Sequence, residues 1–134
     1  MYRHILVPTD GTDFSNQAIA HAASLAKALG AAVTVMTVTE PFHVFTLEAA
    51  QVEDTRPDYE SHMRARAEAI LGKAAAAVSA AGARCDTVHA TADHPHQAII
   101  DEAGRRGCDL VVMASHGRKG VAAVVIGSET AKVL

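Results

Sequence analysis

Two short apolar segments, residues 5–7 (ILV) and 110–113 (LVVM), constrain the fold most strongly. Neither contains a polar position, which is typical of a parallel strand that is buried on both faces. β-Branched segments alternate between them with segments whose apolar residues recur at helical spacing. Strands that alternate with helices predict a doubly wound, open parallel sheet with right-handed crossovers and helices on both faces.

The same patterns predict the individual elements. The polar strand at 85–90 is expected near a sheet edge, and the two most apolar strands are expected to be central neighbours. Residues 39–57 show no clear period and predict a long loop. Strands are predicted at 5–7, 33–38, 85–90 and 110–113. Helices are predicted over 18–29, from Pro57 or Asp58 to Gly82, over 96–106, and from Ser128 onward. Asp13 and Ser15 are the N-cap candidates of the first helix.

Length, charge and cysteine content limit the function classes. A chain of 134 residues fits one domain, residues 1–134. Its net charge of -3, without a concentration of lysine and arginine, argues against nucleic acid and anionic membranes as partners. No apolar run approaches the roughly 18 residues of a membrane span. Cys85 and Cys108 are too few for a disulfide framework, so a cytoplasmic location is expected.

In open α/β sheets, ligands bind beyond the carboxyl ends of the strands, where the strand order reverses. Two loops are expected to face each other there: residues 8–11 (PTDG) and the segment MASHGRKGVAAVVIGSET, residues 113–130. Gly127 and Ser128 stand at a predicted helix start, which favours an anion, and Arg118 and Lys119 add positive charge. The glycine spacing matches neither common phosphate-loop pattern. Spacing alone leaves phosphate binding and a plain helix-capping loop equally open.

These residues resemble the universal stress protein family. The family signature after the fourth strand is G-x2-G-x9-G-[ST], and the corresponding frame here is Ala114-x2-Gly117-x9-Gly127-Ser128. The segments RHILVPTDGTDFSNQAI, VTVMTV and HQAIIDEAGRRGCDLVVMASHG are also similar to the family, so the resemblance covers the chain apart from residues 39–57.

The resemblance implies strand order 3-2-1-4-5, a homodimer, and ATP, with Mg²⁺, as the ligand of the crevice. By position, Pro8, Thr9 and Asp10 would contact the adenosine part, and Val38 would pack on adenine. The remaining positions implied for the ribose and phosphates are Met113, Ala114, His116, Gly117, Gly127, Ser128, Glu129 and Thr130. Arg118 and Lys119 are not carried over from the family, and for this basic pair phosphate contact and a solvated loop tip stay equally open.

Two departures from the family pattern stand out. Ala114 replaces the first glycine of the signature, and its Cβ would crowd the nucleotide unless the backbone φ is negative. The sequence also stops at Leu134 within a helical pattern, so the family's fifth strand is expected to be missing from it. Because that strand commonly pairs with its copy in a dimer, the second departure weakens the dimer prediction.

Several residues keep a structural alternative beside the functional one. Asp10 is interpreted as a ligand-contacting residue or as a cap of the following turn. For His116 a structural loop role is favoured over a general base. The run D-H-P-H, residues 93–96, is interpreted as a loop with a helix N-cap rather than a metal site.

Three functions follow from these predictions. The leading one is an ATP-binding sensor or regulator of the stress response with little catalysis, because no pair of groups is suited to activating water. The second is a slow ATPase or autophosphorylating protein, with Ser128 or Thr130 as acceptor. The third is a nucleotide-free dimeric interaction protein in which Ala114 marks a lost site. A phosphoryl-accepting receiver domain is rejected, since the strand at 85–90 does not end in aspartate.

Overall fold

The computed structural model describes residues 3–41, 49–114 and 121–125. The described elements alternate along the chain until the final strand, which follows another strand directly. They are β1 (His4–Pro8), α1 (Asp13–Leu29), β2 (Ala32–Thr39), α2 (Ala49–Ala80), β3 (Arg84–Thr91), α3 (Pro95–Arg106), β4 (Leu110–Ala114) and β5 (Val121–Val125).

The five strands form one sheet in the order β3-β2-β1-β4-β5. β1 pairs in parallel with β2 and with β4, and β2 pairs in parallel with β3 over eight residues. The predicted α/β class, the order 3-2-1-4, the central position of β1 beside β4 and the edge position of the polar strand β3 are confirmed. This order reverses direction between β1 and β4, so it creates a crevice at their carboxyl ends.

β5 differs from the sequence prediction. Residues 121–125 (VAAVV) were expected within a loop, yet they pair antiparallel with β4, from Val121 opposite Ala114 to Val125 opposite Leu110. This strand precedes Ser128 and makes this edge of the sheet antiparallel. The helix predicted from Ser128 onward lies outside the described residues. β-Branched valines and the unpaired backbone groups along the outer side of β4 account for the pairing.

The helix starts required two corrections. The N-cap of α1 is Thr12, whose hydroxyl accepts a hydrogen bond from the amide of Ser15, and neither Asp13 nor Ser15 is the N-cap. α2 begins at Ala49, about eight residues before the predicted start, and Pro57 lies inside it. The first five residues, Ala-Ala-Gln-Val-Glu, are mostly strong helix formers, but an interior proline outweighs their propensity, so tertiary context keeps the helix continuous through the exposed Pro57.

The core lies on both faces of the sheet. On one face, α1 and α2 pack against β1, β2 and β4, and small residues such as Ala18, Ala22 and Ala74 let the helices lie close to the strands. On the other face, Ile99 and Ala103 of α3 pack against Leu6, Met36 and Val111. Among the described residues, no helix is long and apolar enough to cross a membrane.

Candidate functional site

A cavity of about 320 Å³ lies at the carboxyl ends of β1, β2 and β4, beside the first turn of α3. This is the crevice that the strand order predicts. Its volume is at the lower end of the range of roughly 300–1,000 Å³ that is typical of small-molecule sites. The lining residues are Pro8, Thr9, Asp10, Ser15, Met36, Val38, Pro95, His96, Ile99 and Met113.

The polar part of this lining comes from the turn between β1 and α1 and from the first turn of α1. Oδ1 of Asp10 accepts hydrogen bonds from the Thr12 amide at 3.0 Å, the Thr12 hydroxyl at 2.6 Å and the Ser15 hydroxyl at 2.6 Å. The Asp10 amide in turn donates to the Ser15 hydroxyl at 3.3 Å. Asp10 therefore organises the start of α1, which is the capping role that the sequence left open beside a ligand role.

The electrostatics of Asp10 follow from these bonds. Desolvation raises the pKa of its carboxyl group, but hydrogen bonds from Ser15 and Thr12 outweigh desolvation, and the pKa lies below its ordinary value. Asp10 is therefore ionised at neutral pH. A carboxylate with a lowered pKa suits contact with hydroxyl groups or a cation better than proton abstraction, which needs a pKa near the working pH.

The apolar part of the lining comes from strands and from α3. Met36 is fully buried in β2, and Val38, two residues later, lies on the same face at the end of the strand. Ile99 and Met113 belong to the same hydrophobic cluster. A cavity with an apolar side on β2 and α3 and a polar side on the β1–α1 turn suits a ligand that has a flat apolar part and a hydroxylated part.

The start of α3 closes the cavity on one side. His94 is the N-cap residue, which confirms the interpretation of the D-H-P-H run as a loop and helix cap, although its side chain makes no capping hydrogen bond. Pro95 begins the helix and His96 follows it, and both line the cavity. In the described part of the chain, no three His, Cys, Asp or Glu residues are grouped to hold a metal ion.

Gly11 fixes how closely the β1–α1 turn approaches α2. Its φ is +84°, in the left-handed region that side chains disfavour. A Cβ added at Gly11 would lie 3.0 Å from Cγ1 and 3.1 Å from Cδ1 of Ile70. The turn that carries Asp10 thus packs against α2 so closely that a methyl group at Gly11 would require the Ile70 side chain to move by a few tenths of an ångström.

The structure brings five of the predicted site residues together and leaves others undescribed. Pro8, Thr9, Asp10, Val38 and Met113 line one cavity, and Ala114 ends β4 beside it. The remaining predicted residues lie outside the described part of the chain: His116, Gly117, Arg118, Lys119, Gly127, Ser128, Glu129 and Thr130.

Sequence reasoning missed the other half of the lining: Ser15, Met36, Pro95, His96 and Ile99. Two signals could have found most of them. Met36 and Val38 are two residues apart in one strand, so their side chains lie on the same face of the sheet. Pro95 and His96 open the helix that follows a parallel strand, and such a helix start lies at the carboxyl edge of the sheet.

A second cavity, of about 230 Å³, lies between the end of β2 and α2 and shares Asp10 and Val38 with the first. Tyr59, Met63 and Arg66 of α2 contribute to its lining. The end of β2 therefore separates two adjoining cavities.

Comparison with known proteins agrees with this architecture. The model of the family described as "Universal stress protein family" matches residues 1–134. The chain belongs to the universal stress protein family. A universal stress protein of Thermus aquaticus is 28% identical over 134 residues, covering 100% of this chain and 92% of the relative. One from Bacillus subtilis (strain 168) is 26% identical over 137 residues, covering 99% and 92%.

Solved structures of universal stress proteins share the fold. One from Archaeoglobus fulgidus has a TM-score of 0.68 at 19% identity, covering 98% of this chain and 90% of its own, and shows the fold alone. A universal stress protein in complex with cAMP has a TM-score of 0.59 at 26% identity, covering 82% of this chain and 70% of its own. Another from Archaeoglobus fulgidus, in complex with dAMP, has a TM-score of 0.58 at 18% identity, covering 84% and 80%.

Proposed function

We propose that this universal stress protein binds an adenine nucleotide in the cavity at the carboxyl ends of β1, β2 and β4, and that ATP is its ligand. The observation that carries the proposal is the lining itself. Five residues implied by the family resemblance meet there with an apolar side and a polar side. The structure of a relative in complex with cAMP supports an adenine nucleotide as the ligand class.

The residues present fit a nucleoside in a defined orientation. Val38 offers apolar contact to a base, Met113 lines the ribose side, and Thr9 and Asp10 offer hydrogen-bonding groups to a ribose. The phosphates are then assigned to the segment that follows β4, through Gly117, Arg118, Lys119 and the predicted helix start at Gly127 and Ser128. Helix-terminus contacts contribute only about 0.3–1 kcal/mol each when exposed, whereas micromolar affinity needs about 8 kcal/mol. Base, ribose and phosphate contacts must therefore act together.

Magnesium fits the proposal as a companion of the phosphates. Asp10 supplies one ionised carboxylate, and Mg²⁺ in nucleotide sites is commonly held by one or two carboxylates together with phosphate oxygens. The lowered pKa of Asp10 makes it a weak general base, so the protein is proposed to act as a nucleotide-dependent sensor or regulator with little hydrolysis. We also propose that two copies of this chain form a homodimer.

Calorimetric titration of nucleotide-stripped protein with Mg-ATP tests the proposal. Val38→Trp places a large side chain in the cavity and is expected to abolish saturable heat. Val88→Trp is the matched control, because Val88 is a half-buried valine of the neighbouring strand outside the cavity lining, in register with Met36. Absence of binding to the unmodified protein at millimolar ATP would refute the proposal. Equal loss in both variants would show that folding, and not the cavity, determines the signal.

A further inference from the structure

We infer that His96 contacts the base of the bound nucleotide and contributes to its recognition. This inference rests on the nucleotide-binding function proposed above. His96 lines the cavity from the first turn of α3 and is exposed, so its imidazole is available to a ligand. The site residues implied by the family resemblance do not include His96.

The position of His96 on α3 places it on the apolar side of the cavity. Ile99 follows it by three residues, and residues at this spacing share one face of a helix. Ile99 is 8% exposed and packs in one cluster with Met36. The face of α3 that carries His96 therefore faces the end of β2.

The charge pattern of the lining separates the base from the phosphates. The polar lining residues Thr9, Asp10 and Ser15 belong to the turn after β1 and to the first turn of α1. The lining residues from β2 and α3 are apolar except for His96. They are Met36, Val38, Pro95 and Ile99. An uncharged planar base matches this side, whereas a polyphosphate would have to leave water for an apolar wall.

The chemistry of imidazole suits this contact. Its ring presents a flat face for stacking on a base, and its two nitrogens offer a donor and an acceptor to a base edge. Stacking of a base on an aromatic side chain contributes enough that removal of the ring weakens binding by about fivefold or more. A histidine at the rim of an apolar cavity thus adds recognition that Val38 and Met36 cannot supply.

Titration of wild-type protein, His96→Ala and His96→Phe with ATP, AMP and adenosine tests the inference. His96→Ala is expected to weaken all three ligands by the same factor, about five- to tenfold, because the base is common to them. His96→Phe keeps a flat ring and is expected to stay within about twofold of wild type if stacking dominates. His94→Ala is the matched control, since His94 lies two residues upstream, outside the cavity lining, and makes no side-chain capping bond.

Three results would overturn the inference. Equal affinities for His96→Ala and His94→Ala would show that His96 does not contact the ligand, while binding by the wild type would leave the proposed function intact. A loss that is large for ATP and absent for adenosine would place His96 at the phosphates. No binding of any ligand by the wild type would remove the inference together with the proposed function.

Discussion

Substitution of Gly11 by alanine tests whether the β1–α1 turn is packed as tightly as the structure indicates. Two costs add at this position. A residue with a side chain at φ +84° costs about 1–2 kcal/mol. The new Cβ would also meet Ile70 at 3.0 Å, and overpacking of this kind costs about 1–3 kcal/mol. We expect Gly11→Ala to lower the free energy of unfolding by about 2–5 kcal/mol.

Gly82→Ala separates the two costs. Gly82 has a φ of +89°, close to that of Gly11, but a Cβ there would meet nothing within 4 Å. Its expected cost is therefore the backbone cost alone, about 1–2 kcal/mol. Urea unfolding followed by circular dichroism, with the slope m checked for constancy, measures both variants.

The difference between the two glycines isolates the contact with Ile70. Shortening that side chain in Gly11→Ala/Ile70→Val is expected to recover part of the loss, so the two changes should not be additive. Equal destabilisation by Gly11→Ala and Gly82→Ala, with no recovery in the double variant, would refute the claim that the turn and α2 are in tight contact.

Three further predictions concern titratable groups. Asp10→Ala is expected to lower the free energy of unfolding by about 1 kcal/mol at pH 7, because three hydrogen bonds to α1 are lost. The pKa of Asp10 is lower in the folded state than in the unfolded state, so the ionised carboxylate stabilises the fold at neutral pH. This stabilisation is lost as the pH falls below about 4. In urea unfolding, the difference in free energy of unfolding between Asp10→Ala and wild type should therefore be smaller at pH 3 than at pH 7. Glu102 is 4% exposed and pairs with Arg105 and Arg106 in α3. Glu102→Ala should lower the free energy of unfolding by about 1–2 kcal/mol in the same assay, less than for a fully buried pair because the guanidinium groups stay partly in water. An unchanged free energy of unfolding would contradict this prediction. Burial raises the pKa of the Cys108 thiol to about 11, so in a Cys85→Ser variant a thiol reagent at pH 8 should react only after unfolding, and rapid reaction of native protein would contradict the burial.

The main outline of the fold could be predicted from the sequence because buried strands require recognisable runs of apolar residues. The apolar segments 5–7 in β1 and 110–113 in β4 have no polar position, so only the centre of a covered sheet accommodates them. The glycines that end α1 and α3, Gly30 and Gly107, adopt positive φ as their positions after the helical pattern predict.

The missed elements lack such a signal. The start of α2 carries no apolar stripe that distinguishes it from a loop, and Pro57 is a stronger local signal than helix propensity. β5 lies in a segment whose glycines suggested a loop, and its pairing with β4 is a non-local interaction that no single segment reveals. Tertiary context decided both outcomes.

The site shows the same division between local and non-local information. Thr9 and Asp10 follow a recognisable strand, so their place at the carboxyl edge could be predicted. His96 belongs to a segment about 85 residues further along the chain, and only the crossover from β3 over the sheet brings α3 beside β2. The sequence can place the start of this helix at the carboxyl edge of the sheet, but it places His96 beside β2 only once the order of the strands is known.

The β1–α1 turn links the fold to the proposed site, and this changes how its variants must be interpreted. Oδ1 of Asp10 is already bound by Thr12 and Ser15, so removal of the carboxylate disturbs the start of α1 as well as the cavity. Ser15→Ala removes one of these bonds while the carboxylate remains. If Asp10 contacts the ligand directly, Asp10→Ala should weaken nucleotide binding far more than Ser15→Ala. Similar losses would mean that the turn positions other ligand-binding groups and that Asp10 acts through it.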